Sequence, residues 1–473
     1  MPSFEIKSFT GLSSHEDKGI KGSFKFGSAI DVRKDLDSLS AQQGLVDDLA
    51  IGTLTGLVLF IVPSIDGNSY HFCKGGKIFK RTSGGVYSLV YTDVNGDIVG
   101  AGEAYCSNGK NYLFWATSTR LNSKEIPGNS GWSDVNANIV VGSTTYTYPK
   151  TDLTAADWHT MKWIVGSFLF CNGPTLGLVG YDGSYSKNAV QLFPNTLSKC
   201  LIERNRIAIA GCTLKDLSEE SPIFAWNTTD NNYTDKGPSI PVKGLNSMID
   251  TELPLVQVGT NGQLYFNDFQ TVIPILSFPG GGQTNPDGAC NNNGLALFGL
   301  FGNGTGKTGV YSYGRLKKDA DIVANLEYPL DCDEIGSVKK VGSDILVSYK
   351  TGSDYGIKKV STTAKATRFV YQSIDLKAPS IFDRELEYTQ VRLTTKPLPA
   401  GCSVEVWRRI DKTGDFLQCN LADDAGTLIF DTVDGTEAFF SLGEKGKTIE
   451  LQIIGNCSGN LTPDVSKAEI FFE

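Results

Sequence analysis

The glycine-rich segment Gly302–Thr308 (GNGTGKT) is the part of the chain closest to a phosphate-binding loop. Such a loop places four residues between its first glycine and the Gly-Lys-Ser/Thr motif. A match would therefore require glycine at position 301, where the chain has Phe301. The segment also lies between predicted hairpin strands, without a following helix whose N-terminus could bind a phosphate. We interpret it as a glycine-rich turn and predict no cofactor.

Two acidic segments could offer oxygen ligands to a calcium ion, namely Asp93–Asp97 (DVNGD) and Asp331–Glu334 (DCDE). Neither has the interleaved Asp-x-Asp-x-Asp-Gly order of a calcium loop. An Asn-Gly hairpin flanked by solvated acids explains the first about as well. The nearest approach to a zinc half-site is the pair His71 and Cys73, which a half-buried strand explains better. No metal site is predicted.

The sequence offers few residues that could form the active site of a hydrolase. A Ser-His-Asp triad would have to use one of only three histidines, and no serine lies in a Gly-x-Ser-x-Gly elbow. A retaining glycosidase needs two carboxylates about 5 Å apart, and the sequence does not single out such a pair among its many acids. We therefore expect a protein that is not an enzyme, with a glycoside hydrolase or lyase as the third alternative.

Aromatic side chains could bind sugars, because the faces of Trp and Tyr rings stack on the C–H groups of pyranoses. The candidate glycan contacts are Trp132 in NSGWSD and Tyr181 and Tyr185 in GYDGSYSKN. The alternative is that these rings pack the edges of small sheets. Both interpretations require an all-β scaffold that presents the rings on turns or edge strands.

The clearest structural signal of such a scaffold is the segment Val256–Phe269 (VQVGTNGQLYFNDF). Its Asn261-Gly262 dipeptide predicts a tight hairpin turn, because these residues readily adopt positive φ. Similar strand-turn-strand units recur from about Ala50 to Ser373 with a period of roughly 40–55 residues, which is typical of β-propeller blades. A stacked sandwich and a β-solenoid are the competing architectures. One short helix is predicted over Asp152–Trp163, with Asp152 as its N-cap.

The pattern of predicted strands and turns changes near residue 376. The last part of the chain alternates short strands with turns every 8–15 residues, roughly the pattern of a β-sandwich or jelly roll. The predicted fold is therefore all-β, with a β-propeller of six or seven degenerate blades followed by a C-terminal β-sandwich. The predicted domains are an extended N-terminal assembly arm (1–50), the propeller (51–375) and the sandwich (376–473).

Composition excludes some classes of function. The formal net charge of −9 argues against sequence-independent nucleic-acid binding, which needs a basic surface. No apolar span is long enough for a membrane helix, so no membrane insertion is expected. The chain has 10 Cys without a Cys-x-x-Cys pair, and the N-terminus has no apolar signal segment. These features favour reduced cysteines in a protein made in the cytosol.

Both ends of the chain contain a series of short motifs. The N-terminal part has a Phe-x-Gly turn at Phe9–Gly11, a polar loop at Ser13–Lys18, a short strand at Phe26–Asp31 and a charged stretch at Arg33–Gly44. The C-terminal part has EYTQVRLTTKPLPAGCSVEVWRRIDKTGDF, where a Pro-Leu-Pro-Ala-Gly break separates two strands. With these motifs, both ends resemble propeller-type structural virion proteins of tailed bacteriophages.

The resemblance implies a non-enzymatic structural component of the tail or neck, a rigid scaffold in a symmetric assembly. Its partners would be copies of itself and other virion proteins, and its location the virion, assembled in the host cytoplasm. The candidate assembly contacts lie in the N-terminal arm: Phe4, Phe9, Phe24, Phe26 and Arg33. A tail protein that binds host-surface glycan is the alternative.

Overall fold

The computed structural model describes residues 2–13, 22–33, 37–128, 131–164, 166–216, 220–228, 235–251, 255–258, 262–315, 322–377, 385–424 and 426–473. Within these ranges every regular element is a β-strand. The chain divides into two compact units. Unit 1 contains residues 1–46, 309–330 and 360–473, and unit 2 contains residues 47–308 and 331–359.

The strands are numbered in chain order. The first four are β1 (Ser3–Ile6), β2 (Gly11–Leu12), β3 (Ser23–Ser28) and β4 (Gln43–Leu54). Sheet 1 of unit 2 contains β5 (Val58–Pro63), β6 (Ser69–Cys73), β7 (Lys77–Arg81) and β8 (Tyr87–Thr92). Sheet 2 contains β9 (Gly100–Tyr105), β10 (Asn111–Ala116) and β11 (Leu121–Ile126). A separate hairpin follows, formed by β12 (Ile139–Val141) and β13 (Thr144–Tyr146).

Three further four-stranded antiparallel sheets come next. Sheet 3 contains β14 (Met161–Ile164), β15 (Ser167–Asn172), β16 (Thr175–Gly180) and β17 (Tyr185–Gln191). Sheet 4 contains β18 (Thr196–Arg204), β19 (Ile207–Leu214), β20 (Ile223–Trp226) and β21 (Asp235–Lys236). Sheet 5 contains β22 (Leu245–Ile249), β23 (Leu255–Val258), β24 (Gln263–Asn267) and β25 (Val272–Ser277).

The strands of sheet 6 within unit 2 are β26 (Ala289–Asn292) and β27 (Leu295–Leu300). The chain then forms β28 (Gly309–Gly314) and β29 (Val323–Pro329) of unit 1. Sheet 7 contains β30 (Glu334–Val341), β31 (Asp344–Thr351) and β32 (Asp354–Lys365), and its fourth strand is β4. The remaining strands are β33 (Arg368–Ser373), β34 (Leu386–Thr395), β35 (Ser403–Ile410), β36 (Leu417–Gln418), β37 (Glu437–Gly446), β38 (Ile449–Asn456) and β39 (Val465–Phe472).

The seven sheets of unit 2, counted over the described residues, form a closed ring. The first strand of each sheet contacts the first strand of the next, in the order β5, β9, β14, β18, β22, β26 and β30, and β30 contacts β5. Sheets that follow one another in sequence and close on themselves in this way make a β-propeller. The all-β prediction and the propeller prediction are confirmed.

Glycines allow neighbouring sheets of the ring to approach closely. A Cβ atom at Gly100 would lie 2.0 Å from the carbonyl oxygen of His159, where sheet 2 meets sheet 3. A Cβ atom at Gly336 would lie 2.0 Å from the carbonyl oxygen of Val58, where sheet 7 meets sheet 1. Any larger residue would push these backbones apart, which explains part of the high glycine content.

The ring is closed by its own first strand. Sheet 7 takes its outer strand from β4, so the beginning and the end of unit 2 share one sheet. Arg81 on β7 joins this sheet to sheet 1, because its guanidinium donates to both carboxylate oxygens of Asp48 at 2.6 and 2.9 Å and to Asp344 at 2.8 Å. Only 4% of the Arg81 side chain and 2% of the Asp48 side chain are exposed. Tyr87 donates a further hydrogen bond to Asp48 at 2.7 Å.

The helix predicted over Asp152–Trp163 is wrong. Residues 151–160 have no regular structure and lead into β14. Their backbone groups bond to neighbouring sheets and not to each other: Thr154 donates to the side chain of Asn172 at 2.8 Å, and His159 donates to Val99 at 2.8 Å. Tertiary contacts therefore override the local helical pattern.

The predicted hairpin in sheet 5 is present, since Val258 pairs with Gln263 and Leu255 with Phe266. Asn261 itself lies outside the described residues.

Unit 1 combines both ends of the chain, a division that differs from the three consecutive segments expected from the sequence. One sheet has the order β1, β39, β34, β37, and a second contains β28, β29, β3, β33, β38, β35 and β36 in that order. Both sheets contribute to a single hydrophobic core, for example through Ile470 and Val391 of the first and Tyr371 and Ile453 of the second.

Replacing Arg81 by methionine (Arg81→Met) is expected to destabilise the protein by roughly 1.5–3 kcal/mol, because the buried Asp48 loses two charge-assisted hydrogen bonds and keeps only Tyr87 and the 3.2 Å ion pair with Lys359. Urea unfolding followed by tryptophan fluorescence measures this loss. The matched control is Lys110→Met, whose 2.7 Å ion pair with Glu125 lies on the surface of the same unit. We expect a change of roughly 0–1 kcal/mol for the control. Equal losses in both variants would contradict a closing role for Arg81.

Candidate functional site

Four tyrosines lie where sheets 2 and 3 and the β12–β13 hairpin meet, and we call them the tyrosine surface: Tyr105, Tyr146, Tyr181 and Tyr185. Tyr105 ends β9, and Tyr181 begins the turn between β16 and β17. Their ring centroids are 5.9 Å apart, and the rings are 43% and 46% exposed. The backbone amide of Ser107 donates to the carbonyl of Tyr181 at 2.8 Å, which fixes the two turns against each other.

Two carboxylates orient the other tyrosines. The hydroxyl of Tyr146 donates to Asp182 at 3.0 Å, and that of Tyr185 donates to Asp152 at 2.9 Å. Asp182 is itself fixed by the backbone amide of Ser184 at 3.0 Å and its hydroxyl at 2.5 Å. The Tyr185 ring stacks on Phe170 with an interplanar angle of 7°. These rings are therefore held in place by the fold.

The charges of the tyrosine surface follow from these contacts. Hydrogen bonds from Ser184 lower the pKa of Asp182, which keeps its carboxylate ionised. Burial and the hydrogen bond to Asp152 raise the pKa of Tyr185, which keeps the phenol protonated. The ammonium group of Lys150 lies 5.2 Å from the centroid of the Tyr185 ring, within the range of a cation–π contact. The surface thus presents tyrosine rings beside two hydrogen-bonded carboxyl groups.

Half-exposed rings next to anchored acceptors match the chemistry of sugars. The C–H faces of a pyranose can stack on Tyr105 and Tyr181. Its hydroxyls would have to share the carboxylate oxygens of Asp182, which accept from Ser184 and Tyr146, and those of Asp152, which accept from Tyr185 and pair with Lys187 at 3.4 Å. Sequence reasoning found Tyr181 and Tyr185 but missed Tyr105 and Tyr146. Tyr105 lies at the end of an alternating strand and Tyr146 lies in a short hairpin, so neither has a local signal that would place it beside Tyr181.

Trp132 is not part of the tyrosine surface. Its ring stacks on Tyr91 at 5.9 Å with an angle of 23°, and it also contacts Tyr70 and Trp115. These partners belong to sheets 1 and 2, and Trp132 packs against their shared core. The structure therefore favours the packing interpretation for this residue.

Polar side chains on or just before the first strands of the sheets form hydrogen bonds between sheets on the inner side of the ring. Thr160 donates to the carbonyl of Lys199 at 2.6 Å, and Lys199 donates to the side chain of Asn246 at 3.1 Å. Lys339 donates to Asp287 at 2.5 Å, and Asp287 also accepts from the backbone amide of Ile61 at 3.1 Å. These contacts run from sheet 3 to sheet 5 and from sheet 6 to sheet 1.

Charges from non-adjacent sheets converge at this inner wall. The pKa of Lys162 on β14 is lowered by burial and by the positive charge of Lys339 on β30. Asp287, Glu203 and Asp250 oppose this lowering.

The candidate assembly contacts Phe9 and Phe24 lie inside unit 1. Neither side chain is exposed, and both rings contact Tyr371 edge to face, at 5.3 and 5.6 Å between centroids. This burial corrects the expectation that they contact a partner, because no surface of either ring is available to a second molecule. Phe4 and Phe26 are half-buried, and Phe4 lies 6.0 Å from Phe472.

Arg33 is also part of the fold of unit 1. Its guanidinium forms an ion pair with Glu327 and donates to Ser312 at 2.9 Å and to the carbonyl of Val323 at 3.0 Å. Burial lowers the pKa of Arg33 to about 10. Glu327 accepts further hydrogen bonds from Ser312 and Gln42. The guanidinium is thus engaged within the unit and is not presented to a partner.

Among the described residues, no group of three or more His, Cys, Asp and Glu side chains is arranged to hold a metal ion. The same part of the chain contains no helix that could cross a membrane.

Comparisons with known proteins find no match among protein families or curated proteins. Solved structures with partial similarity include Raptor from Chaetomium thermophilum, with 10% identity and a TM-score of 0.47 over 68% of this chain and 29% of that chain. The β-propeller domain of Cps50 (Swd1) from Myceliophteria thermophila has 10% identity and a TM-score of 0.45 over 66% of this chain and 100% of that chain. A chain of the mitotic checkpoint complex has 8% identity and a TM-score of 0.45, covering 70% and 95%. Similarity at this level carries no inference about function.

The burial of Phe9 leads to a stability prediction. Phe9→Ala should destabilise the isolated protein by roughly 3–5 kcal/mol, because it leaves a cavity against Tyr371. Phe4→Ala, at the half-buried neighbour on β1, should cost clearly less. Differential scanning calorimetry of the two purified variants measures both effects. Unchanged stability in Phe9→Ala would instead support a residue whose contacts form only on assembly.

Proposed function

We propose that the chain is a non-enzymatic structural component of a bacteriophage virion, in the tail or neck. The propeller of unit 2 would act as a rigid scaffold, and unit 1, which we propose to be a β-sandwich, would dock to neighbouring copies or other virion proteins. The observation that carries the scaffold role is the ring closed by β4 and locked by the buried Arg81. The virion role is supported by the resemblance of the two terminal segments.

The candidate docking residues lie on the surface of unit 1, because Phe9 and Phe24 are buried and cannot contact a partner. Leu417 is 57% exposed, Val433 is 54% exposed, and Leu428 and Ile429 between them are each 38% exposed. Gln418 donates to the carbonyl of Leu428 at 3.4 Å, so the two parts of this segment lie side by side. Exposed apolar groups in one segment favour contact with another protein.

Particle composition tests the virion role. Phage particles encoding this chain are purified through a density gradient and analysed by quantitative mass spectrometry. We expect the chain to remain with the major structural proteins at a constant ratio across the particle peak. A chain found only in the soluble lysate fractions would reject the proposal. Immunogold labelling with antiserum to the purified chain then gives its position on the particle.

Glycan binding at the tyrosine surface is the second candidate function. The observation that favours it is the exposed pair Tyr105 and Tyr181, whose rings are held by two neighbouring turns. Most large aromatic side chains of the unit are buried, so a pair with exposed faces indicates a contact surface. This role is compatible with the first, because a virion protein can bind the host surface.

The double substitution Tyr105→Ala and Tyr181→Ala tests glycan binding. We expect it to abolish retention on a glycan array and to change the free energy of unfolding by less than about 1 kcal/mol, since both rings are half-exposed. Phe193→Ala is the matched control, because Phe193 is 49% exposed and contacts Phe224 at 5.3 Å. No binding by the unsubstituted protein, or equal loss in the control, would argue against this surface.

A further inference from the structure

Two cysteines of unit 1 lie opposite each other on neighbouring strands. Strands β35 and β38 pair antiparallel, with Ser403 opposite Asn456 and Val404 opposite Gly455. The same pairing of opposite residues extends beyond the ends of the two strands, because a Cβ atom at Gly401 would lie 3.2 Å from the Cβ of Ser458. The positions between them, Cys402 and Cys457, therefore face each other, and directly opposed side chains lie on the same face of a sheet.

The hydrogen bonds around the two cysteines define the type of pair they form. Cys402 donates its backbone amide to Pro399 at 3.1 Å, and Cys457 donates its backbone amide to Thr367 at 2.8 Å. Val404, two residues after Cys402, exchanges backbone hydrogen bonds with Phe430, which lies on the side of β35 away from β38. The cysteines thus occupy a non-hydrogen-bonded site, where Cα atoms are about 4.5 Å apart. This spacing lies within the range that a disulfide spans.

We propose that Cys402 and Cys457 form a disulfide when the protein meets an oxidising environment. Both thiols are free in this structure. Cys457 is half-buried and Cys402 is buried, so a small oxidant reaches the pair through Cys457. The bond would join the beginning of β35 to the end of β38. This inference rests on the geometry of unit 1 and does not depend on the proposed function.

The reaction is a thiol–disulfide exchange with a low-molecular-weight disulfide. The Cys457 thiolate attacks one sulfur of the oxidant, forms a mixed disulfide and releases one small thiolate. The Cys402 thiolate then attacks the Sγ atom of Cys457 and releases the second small thiolate. Two protein thiols are oxidised to one disulfide, one small disulfide is reduced to two small thiols, and the protein's two protons pass to these products at neutral pH.

The surroundings of the pair make this exchange slow at neutral pH. Burial and the nearby Cys402 thiol raise the pKa of Cys457 to about 11, and Asp464 adds to this effect. Hydrogen bonding to Thr462 and the charge of Lys365 oppose it. Burial also raises the pKa of Cys402. Since the thiolate fraction rises roughly tenfold per pH unit below the pKa, the rate should increase steeply between pH 7 and pH 9.

The test uses the purified full-length chain with oxidised glutathione at pH 7 and pH 9. Tryptic peptide mapping under non-reducing conditions should identify a cross-link between the peptides that carry Cys402 and Cys457, with faster formation at pH 9. Thiol titration in denaturant should record the loss of two of the ten thiols. Oxidation should also raise the melting temperature, by roughly 5–10 °C, because the bond closes a long loop.

Three variants separate the possible outcomes. Cys402→Ser and Cys457→Ser should each abolish the cross-link, whereas Cys419→Ser, at a buried thiol beside Arg408 in the same unit, should retain it. A glutathione adduct on Cys457 that never resolves, or a cross-link between other cysteines, would overturn the proposal. Mapping of the unsubstituted protein decides the question even if a serine variant fails to fold.

Discussion

Unit 2 depends on one buried guanidinium shared between both ends of its ring. Arg81 binds Asp48 on the first strand of the unit and Asp344 in its last sheet, so three segments of the sequence meet at this group, and Lys359 on β32 adds an ion pair with Asp48 at 3.2 Å. An isolated buried charge is costly, whereas the assembled group is neutralised and hydrogen-bonded. If sheets 1 and 7 did not meet, Arg81 would lose both carboxylate partners, so the network favours the closed arrangement of these two sheets.

The positions of the candidate surface residues follow from that closure. Tyr105 and Tyr181 belong to different sheets, and their separation depends on how closely sheets 2 and 3 approach. Gly100 permits that approach, and Ile139 and Tyr146 of the hairpin β12–β13 lie next to Gly183 in the turn that contains Tyr181. The tyrosine surface is therefore a property of the ring and not of a single loop.

The sequence was informative where the signal is local. The Asn-Gly turn signal and the recurring strand-turn-strand units allowed the small sheets and their propeller character to be predicted, because Asn and Gly adopt backbone conformations that other residues avoid. It was misleading at Asp152–Trp163, where Asp152 and His159 bond to neighbouring sheets. It also could not show that Phe9 and Phe24 lie against Tyr371, or that Tyr105 lies beside Tyr181, because these contacts join segments far apart in the chain.

The use of β4 as the outer strand of sheet 7 has a consequence for synthesis on the ribosome. This strand emerges before the other strands of the ring but pairs with β32, which emerges roughly 300 residues later. At about 5–20 residues per second the delay is on the order of tens of seconds. During that time its backbone donors and acceptors have no permanent partner. The nascent chain is thus exposed to wrong pairing with other nascent chains until its last sheet is complete, so slower initiation on a crowded message should increase the yield of folded protein.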